Sequence, residues 1–230
     1  MISSWHTLRR DAWTRALSAF PVEDGIRQIS PPQNFEGGED EYDARIGGAN
    51  RADLLRCGHG AWHLITHYAT RSVRAVLELG AGGGTCSLGL IEAAPASSLL
   101  ITDTSASFLR LIQRKCVAAG LDAKQPRYAT LAGEALDLLP AESVDAIVIA
   151  SALHHVFDWQ GFLRVAASRL RQGGVLAIQG PFRAGNLMMG VAIDIALSPL
   201  WPKEAALPEA DEASLCACRD SIYLLSNSHL

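Results

Sequence analysis

The amino-acid sequence predicts an α/β fold built on a doubly wound, mostly parallel sheet with helices on both faces. Two observations carry this prediction. Apolar runs alternate with amphipathic helical patterns through the middle of the chain, and the run 144–150 is apolar enough to be buried on both faces. Strands that alternate with helices form parallel sheets, because each helix returns the chain to the end of the sheet where the next strand begins.

Five strands and four helices follow one another in this region. The predicted strands cover residues 73–79, 99–103, 128–131, 144–150 and 175–180. The predicted helices cover residues 52–68, 85–93, 107–119 and 159–170. Pro95 and Gly120 stand just beyond two of the helical patterns, where proline and glycine commonly end a helix. The sequence therefore predicts one principal domain, preceded and followed by smaller segments.

The two ends of the chain have other patterns. Residues 5–20 carry apolar side chains at mostly helical intervals up to Pro21, and residues 30–40 are rich in turn formers and acidic residues. We therefore predict an N-terminal helical lid and connector over 1–70, a ligand-binding core over 71–183, and a C-terminal helix with a short tail over 184–230.

Composition and charge restrict the partners. The net charge is −4 and the basic residues are dispersed, which disfavours nucleic acid. The five cysteines lack the spacing of a disulfide framework and the N-terminus lacks the apolar core of a signal peptide, so a cytoplasmic location is predicted. The most apolar late segment, 187–200, is interrupted by Asp194 and Pro199 and is shorter than the roughly 20 residues of a membrane-spanning helix. The oligomeric state stays open.

A glycine-rich turn follows the first predicted strand. Gly80, Gly82 and Gly84 leave room for a ligand to approach the backbone, and the next helix offers N–H donors. The turn suits several nucleotide cofactors, although the full dinucleotide spacing would place glycine where Thr85 stands. Asp103 ends the second strand, where a carboxylate accepts hydrogen bonds from the hydroxyls of a ribose. An adenosine-containing ligand is therefore predicted.

These residues, with two later segments, resemble the class I S-adenosylmethionine-dependent methyltransferases, in particular the small-molecule branch related to quinone-biosynthesis methyltransferases. The resemblance covers residues 73–181. Its first motif matches 77–84, its third-strand loop matches 133–135, and its Leu-His-His segment matches 151–159. The family implies a Rossmann-like fold and transfer of a methyl group to a small-molecule acceptor by in-line displacement.

The resemblance also implies site residues. It implies that S-adenosylmethionine is the cofactor and that Tyr42 in the lid touches it. The implied cofactor-binding residues are Glu78, Gly80, Gly82, Gly84, Asp103, Glu134, Ala135 and Ser151. The family completes its sheet with two further strands, whereas only 30 residues follow Leu200 here. The C-terminal edge of the sheet is therefore predicted to be incomplete, or to be completed in another way.

Several alternatives stay open at this stage. His154 or His155 could take a proton from the acceptor, because histidine titrates near neutral pH, or the pair could shape its loop. His59, His63 and His67 share one helical face, but three positions in a row do not converge easily on one ion, so no metal is predicted. A non-catalytic methyltransferase-like binding protein is the main alternative function, and a nicotinamide-dependent oxidoreductase is the second.

Overall fold

A computed structural model of the chain describes residues 16–33, 38–46, 51–95, 99–156 and 158–180, with only the backbone of 45, 46, 51–54 and 154. Besides the helical residues 16–18, these ranges contain the α-helices α1 (Glu39–Ile46), α2 (Arg51–Tyr68), α3 (Ser87–Ala93), α4 (Ala106–Ala118) and α5 (Trp159–Arg169). Short 3-10 turns cover Asp122–Lys124, Gly133–Leu138 and Leu153–His155.

Seven strands form one sheet. They are β1 (Val22–Glu23), β2 (Ile26–Gln28), β3 (Val76–Leu79), β4 (Leu99–Asp103), β5 (Arg127–Thr130), β6 (Val144–Ala150) and β7 (Leu170–Gln179), in the spatial order β1-β2-β5-β4-β3-β6-β7. Every neighbouring pair is parallel except β1 and β2. The chain order reverses at β3, which lies between β4 and β6. A ligand crevice is expected beyond the carboxyl end of that strand.

Two apolar layers cover the sheet, as its double winding requires. One contains Val76, Ile101 and Val148 from alternate strand positions and is covered by α2, α3 and α4. The other contains the intervening Leu77 and Ile147 and is covered by α5 and the nearby 3-10 turn. Because side chains alternate across a strand, both faces of the central strands must be apolar. The predicted doubly wound fold is confirmed.

The helices α2 and α3 touch backbone to backbone at a pair of glycines. A Cβ atom on Gly58 would lie 2.2 Å from the carbonyl oxygen of Cys86, and one on Gly89 would lie 2.1 Å from that of Leu55. No side chain fits at either position. This crossing fixes α2 against the segment that leads out of the glycine-rich turn.

The structure differs from the sequence-based expectation in three places. Strands β1 and β2 add a hairpin to the sheet edge beside β5, within the segment predicted as lid and connector, and α1 lies partly in the predicted connector. Strand β7 begins at Leu170 and includes residues predicted as a turn. Its six residues from Leu170 to Val175 lie opposite only three of β6, from Val144 to Ala146. This bulge is what carries Arg171 back to a buried carboxylate on β6.

The chain divides into two compact units, Met1–Gln179 and Gly180–Leu230, and all described residues except Gly180 belong to the first. The predictions for 184–230, including the incomplete sheet edge, lie outside the described residues, as does most of the predicted helix 5–20. None of the described helices is both long enough and apolar enough to cross a membrane.

Candidate functional site

A cavity of about 520 Å³ opens at the carboxyl ends of the central strands. Its volume lies within the range of small-molecule sites, roughly 300–1,000 Å³. It is lined by Gln33, Tyr42, Leu79, Gly80, Gly82, Asp103, Thr104, Phe108, Leu131, Gly133, Glu134, Ile149, Ser151, Ala152, His155, Val156 and Phe162. Loops that are far apart in the sequence thus meet where parallel strands end.

The glycine-rich turn and Asp103 are joined directly. Gly82 donates its N–H to Asp103 Oδ2 at 2.8 Å, and Ser105 donates its N–H to Oδ1 at 2.8 Å. Gly82 has a φ of 50°, and a Cβ there would meet no protein atom within 4 Å, so the space beside it is open. A carboxylate has about four lone-pair sites, so each Asp103 oxygen can still accept a bond from a ligand hydroxyl.

Opposing effects act on the pKa of the Asp103 carboxyl, which is raised overall. Its side chain is 8% exposed, and this burial raises the pKa of the carboxyl. Hydrogen bonds from Ser105 and Gly82 and the positive field of His155 act in the opposite direction. A donor of hydrogen bonds bound in the cavity would stabilise the ionised form further.

Glu78 lies behind the turn rather than in the cavity lining. It is 1% exposed, and neither carboxylate oxygen has a hydrogen-bond partner among the described residues. Burial raises the pKa of Glu78 to about 8. The carboxyl is therefore predominantly protonated near neutral pH. A protonated carboxyl group is unusual in the acidic residue of a cofactor-loop motif. Both of its oxygens lie beneath the loop without a hydrogen-bond partner among the described residues.

The loop after β6 supplies Ser151 and His155. Ser151 has a φ of 54°, a left-handed conformation that non-glycine residues rarely adopt, and its N–H donates to Gln179 O at 2.6 Å. His155 donates its backbone N–H to Ala152 O at 3.0 Å, which closes the 3-10 turn. Strained backbone such as that of Ser151 concentrates at ligand sites, and both residues line the cavity.

Helix α1 closes one side of the cavity and is tied to the glycine-rich turn. The Tyr42 ring packs edge-on against Phe108 of α4, with ring centres 5.1 Å apart. Lys115 Nζ donates to Asp43 Oδ1 at 2.5 Å and to Gly83 O at 2.7 Å. One ammonium group thus holds together α1, α4 and the turn.

The structure brings together most of the residues predicted for the site. Those that line the cavity are Gly80, Gly82, Asp103, Glu134, Ser151, His155 and Tyr42. Gly84 packs against Ile112 of α4, and Ala135 packs on the apolar layer beside α5, so neither lines the cavity. The side chain of His154 lies outside the described residues. The roles of all these residues stay predictions.

Other contacts were not anticipated from the sequence. The aromatic wall formed by Phe108 and Phe162 comes from helix positions that resemble ordinary core residues, and Lys115 resembles a solvated helix charge. The histidine row of α2 has local partners: His59 Nε2 lies 2.7 Å from Glu92 Oε2, and the His63 and His67 rings stack 6.2 Å apart. Among the described residues, no three potential metal ligands cluster.

The fold is that of the class I methyltransferases. A crystal structure from Methanococcus maripaludis, of a candidate S-adenosyl-L-methionine-dependent methyltransferase, superimposes with a TM-score of 0.52 at 15% identity, covering 84% of this chain and 88% of that one. This likeness concerns the fold alone.

Residues 77–176 match the methyltransferase domain family. Trans-aconitate 2-methyltransferase of Rhodococcus jostii is 26% identical over 152 residues, 66% of this chain and 55% of the relative. An uncharacterized protein of Synechococcus is 31% identical over 124 residues, 51% of this chain and 29% of the relative. The chain thus spans less than two thirds of either relative.

Residues 77–176 thus match the methyltransferase domain family and lie in a fold of the class I methyltransferases, a class whose cofactor is S-adenosylmethionine. The predicted resemblance and cofactor class are confirmed, and the match favours a methyltransferase over a nicotinamide-dependent oxidoreductase.

Proposed function

We propose that this protein transfers a methyl group from S-adenosylmethionine to a small-molecule acceptor, with the cofactor held in the cavity beyond β3, β4, β5 and β6. The observation that carries the proposal is Asp103, a buried carboxylate that faces the cavity at the end of β4 and is braced by Gly82. Such a carboxylate can accept both hydroxyls of a ribose. Glu134 lines the cavity one loop further on and would lie beside the adenine.

The residues of the cavity fit an adenosine-containing cofactor. Gly82 leaves open space where a side chain would intrude, and its N–H holds the carboxylate in place. Phe108 and Phe162 supply apolar rings for a planar base. When bound, S-adenosylmethionine supplies an activated methyl group on a sulfonium. The protein's task is then mainly to orient the acceptor, which is worth as much as about 7–11 kcal/mol in well-oriented systems.

A proton acceptor is needed only when the acceptor atom carries a proton. His155 faces the cavity and lies close enough to Asp103 to affect its charge. We propose His155, or its neighbour His154, for this role. Replacing His155 by Gln should lower kcat and shift its pH profile, whereas a histidine that only shapes the loop would alter KM without changing the profile.

The acceptor class follows from the charges of the lining. Among the described lining residues, the charged side chains are Asp103 and Glu134, and His155 is the one group that becomes cationic on protonation. With both carboxylates assigned to the cofactor, the described lining residues include no Lys or Arg to pair with a polyanion, which favours neutral or cationic acceptors. Similarity to trans-aconitate 2-methyltransferase makes trans-aconitate the appropriate first acid in an acceptor panel, beside neutral hydroxylated compounds.

Calorimetry with S-adenosylhomocysteine tests cofactor binding. The wild type should bind, and Asp103→Asn should raise the Kd at least about tenfold, because hydrogen bonds to a charged group contribute roughly 1.5–3 kcal/mol. Asp122→Asn, on an exposed turn, is the matched control and should bind like the wild type. A folded wild type that does not bind would refute the proposal. Binding without methyl transfer to any acceptor would favour the non-catalytic alternative.

A further inference from the structure

A second cavity, lined by other residues than the proposed cofactor site, lies between α2 and strands β6 and β7. It has a volume of about 530 Å³ and is lined by Arg56, Cys57, Gly60, Ala61, Leu64, Val148, Ala177, Ile178 and Gln179. Helix α2 contributes the first five of these residues, and β6 and β7 contribute the others. Cys57 is half-buried there, so a small solute can reach its thiol from this cavity.

A second thiol lies next to Cys57. Cys86 is 2% exposed and directly precedes α3, at the crossing where Gly58 meets the Cys86 carbonyl. Because Cys57 immediately precedes Gly58, the close backbone contact brings the two cysteines together. The two thiols are close enough for each to shift the pKa of the other through a hydrogen bond. Cys57 Sγ also donates to Gln179 Oε1 at 3.0 Å. An accessible thiol thus stands beside a buried one.

We propose that Cys57 and Cys86 form a reversible disulfide when the protein meets a small peroxide, and that this bond joins α2 to the segment that leaves the glycine-rich turn. An exposed thiol beside a resolving thiol is the arrangement of redox-sensitive cysteine pairs. The third described cysteine, Cys116, is buried against the Tyr128 hydroxyl at 3.5 Å and stands apart from this pair.

The chemistry proceeds in two balanced steps. The Cys57 thiolate attacks one peroxide oxygen, so that an S–O bond forms, the O–O bond breaks and hydroxide leaves. The Cys86 sulfur then attacks the Cys57 sulfur; the S–S bond forms, the S–O bond breaks, and the departing hydroxide takes the Cys86 proton as water. The hydroxide from the first step takes up the proton that Cys57 released on ionising. Overall, hydrogen peroxide is reduced to two waters, and two thiols are oxidised to one disulfide.

The electrostatic surroundings assign the two cysteines different roles. The hydrogen bond from Cys86 lowers the pKa of Cys57 to about 7, so much of this thiol is ionised at neutral pH. The same hydrogen bond, together with burial, raises the pKa of Cys86. The other titratable groups facing Cys57 are Glu78 on β3 and Arg56 on α2. Cys57 is therefore the attacking thiol and Cys86 the resolving one.

Peptide mapping of the folded, peroxide-treated protein tests the pair. Trypsin releases Cys57 in the fragment 57–71, Cys86 in 75–110 and Cys116 in 116–124, while Cys216 and Cys218 fall together in 204–219. We expect a link between 57–71 and 75–110 that dithiothreitol removes. Cys86→Ser should instead leave a sulfenic acid on Cys57 that dimedone traps, and Cys116→Ser should oxidise like the wild type.

Other results would overturn the proposal. These are a link from 57–71 to any other fragment, no link at all in protein that stays folded, or a link that forms only in denaturant. The rate of oxidation should also rise as pH increases through about 7. A rate that rises only above pH 8, as for an ordinary thiol, would exclude Cys57 as the attacking group. None of these readouts depends on the proposed methyl transfer.

Discussion

The buried carboxyl groups at the two ends of the parallel sheet differ in their hydrogen-bond partners. At the amino end, Asp145 of β6 accepts hydrogen bonds from the N–H groups of Arg74 and Ala75 at 2.8 and 3.0 Å and from Arg171 Nη1 at 3.1 Å. At the carboxyl end, Glu78 has no hydrogen-bond partner among the described residues. One end uses a paired buried charge to fix the fold, and the other holds a buried carboxyl group that the described residues leave without a hydrogen-bond partner.

The two ends of the sheet differ because one stabilises the fold and the other borders the cavity. A buried carboxylate is costly unless it is fully paired, and Asp145, at 1% exposure, also lies 3.4 Å from Arg71 Nε. The pairing ties the start of β3, the start of β6 and the bulge of β7 together. No ligand is required there. Asp103, by contrast, lines the cavity. The N–H groups of Gly82 and Ser105 hold its carboxylate in place, and each oxygen can still accept a hydrogen bond from a ligand.

The largest expected effect comes from breaking the paired end. Asp145→Ala should lower the free energy of unfolding by about 3–5 kcal/mol, because it leaves the buried Arg171 without its counter-ion. Denaturant unfolding of the two proteins measures the difference. Asp40→Ala is the control, since its pair with Arg114 is exposed and should contribute at most about 1 kcal/mol. Equal losses in the two variants would remove the contrast between the ends.

The second prediction concerns the pH dependence that Glu78 imposes. Its pKa is about 8 in the folded protein against an ordinary value of 4.5, so the folded state holds a proton that the unfolded state releases between these values. Stability therefore falls as pH rises through this window and levels off above pH 8. The Glu78→Gln side chain cannot ionise, so the stability of this variant should rise relative to that of the wild type by about 2 kcal/mol between pH 6 and pH 8, with a slope of at most about 1.4 kcal/mol per pH unit that decreases near pH 8.

Unfolding experiments across this pH range decide the matter. The curves of the wild type and Glu78→Gln should lie close together near pH 5 and diverge towards pH 8. Parallel curves for the wild type and Glu78→Gln would mean that Glu78 is already ionised and satisfied in the folded protein.

The central part of the fold could be predicted from the sequence because its signals are local. The runs 99–103 and 144–150 have the observed strand bounds, since short apolar runs between helices have few other solutions. The hairpin of β1 and β2 could not be found in this way. Its two strands contain five residues in all, and their position depends on pairing with β5, more than a hundred positions away. Tertiary context decides such short strands.

The residues of the candidate site also differ in how well the sequence predicts them. The loop residues Gly82 and Asp103 follow strands, and their position beyond a strand end already places them in the crevice. Phe108, Phe162 and Lys115 lie on helices, where apolar spacing or a lone charge has a simpler structural explanation. Only the packing of α1 against α4 gives Lys115 its second contact. Gly84 and Ala135 match the family motif but face the packed interior, because a motif includes residues that shape a loop as well as residues that touch a ligand.

The smallest expected effect tests whether α1 belongs functionally to the carboxyl end. Lys115→Met removes the ammonium that joins Asp43 to Gly83 O and should raise the Kd for S-adenosylhomocysteine about threefold to tenfold, because the turn loses roughly 1 kcal/mol of hydrogen bonding that holds its shape. Arg114→Met is the matched control on the same helix. Its ion pair with Asp40 is exposed and does not touch the turn, so its Kd should stay at the wild-type value. Equal Kd values for the two variants would make the Lys115 contact a purely structural one, and a weakened Lys115→Met with unchanged unfolding would place α1 in the binding site.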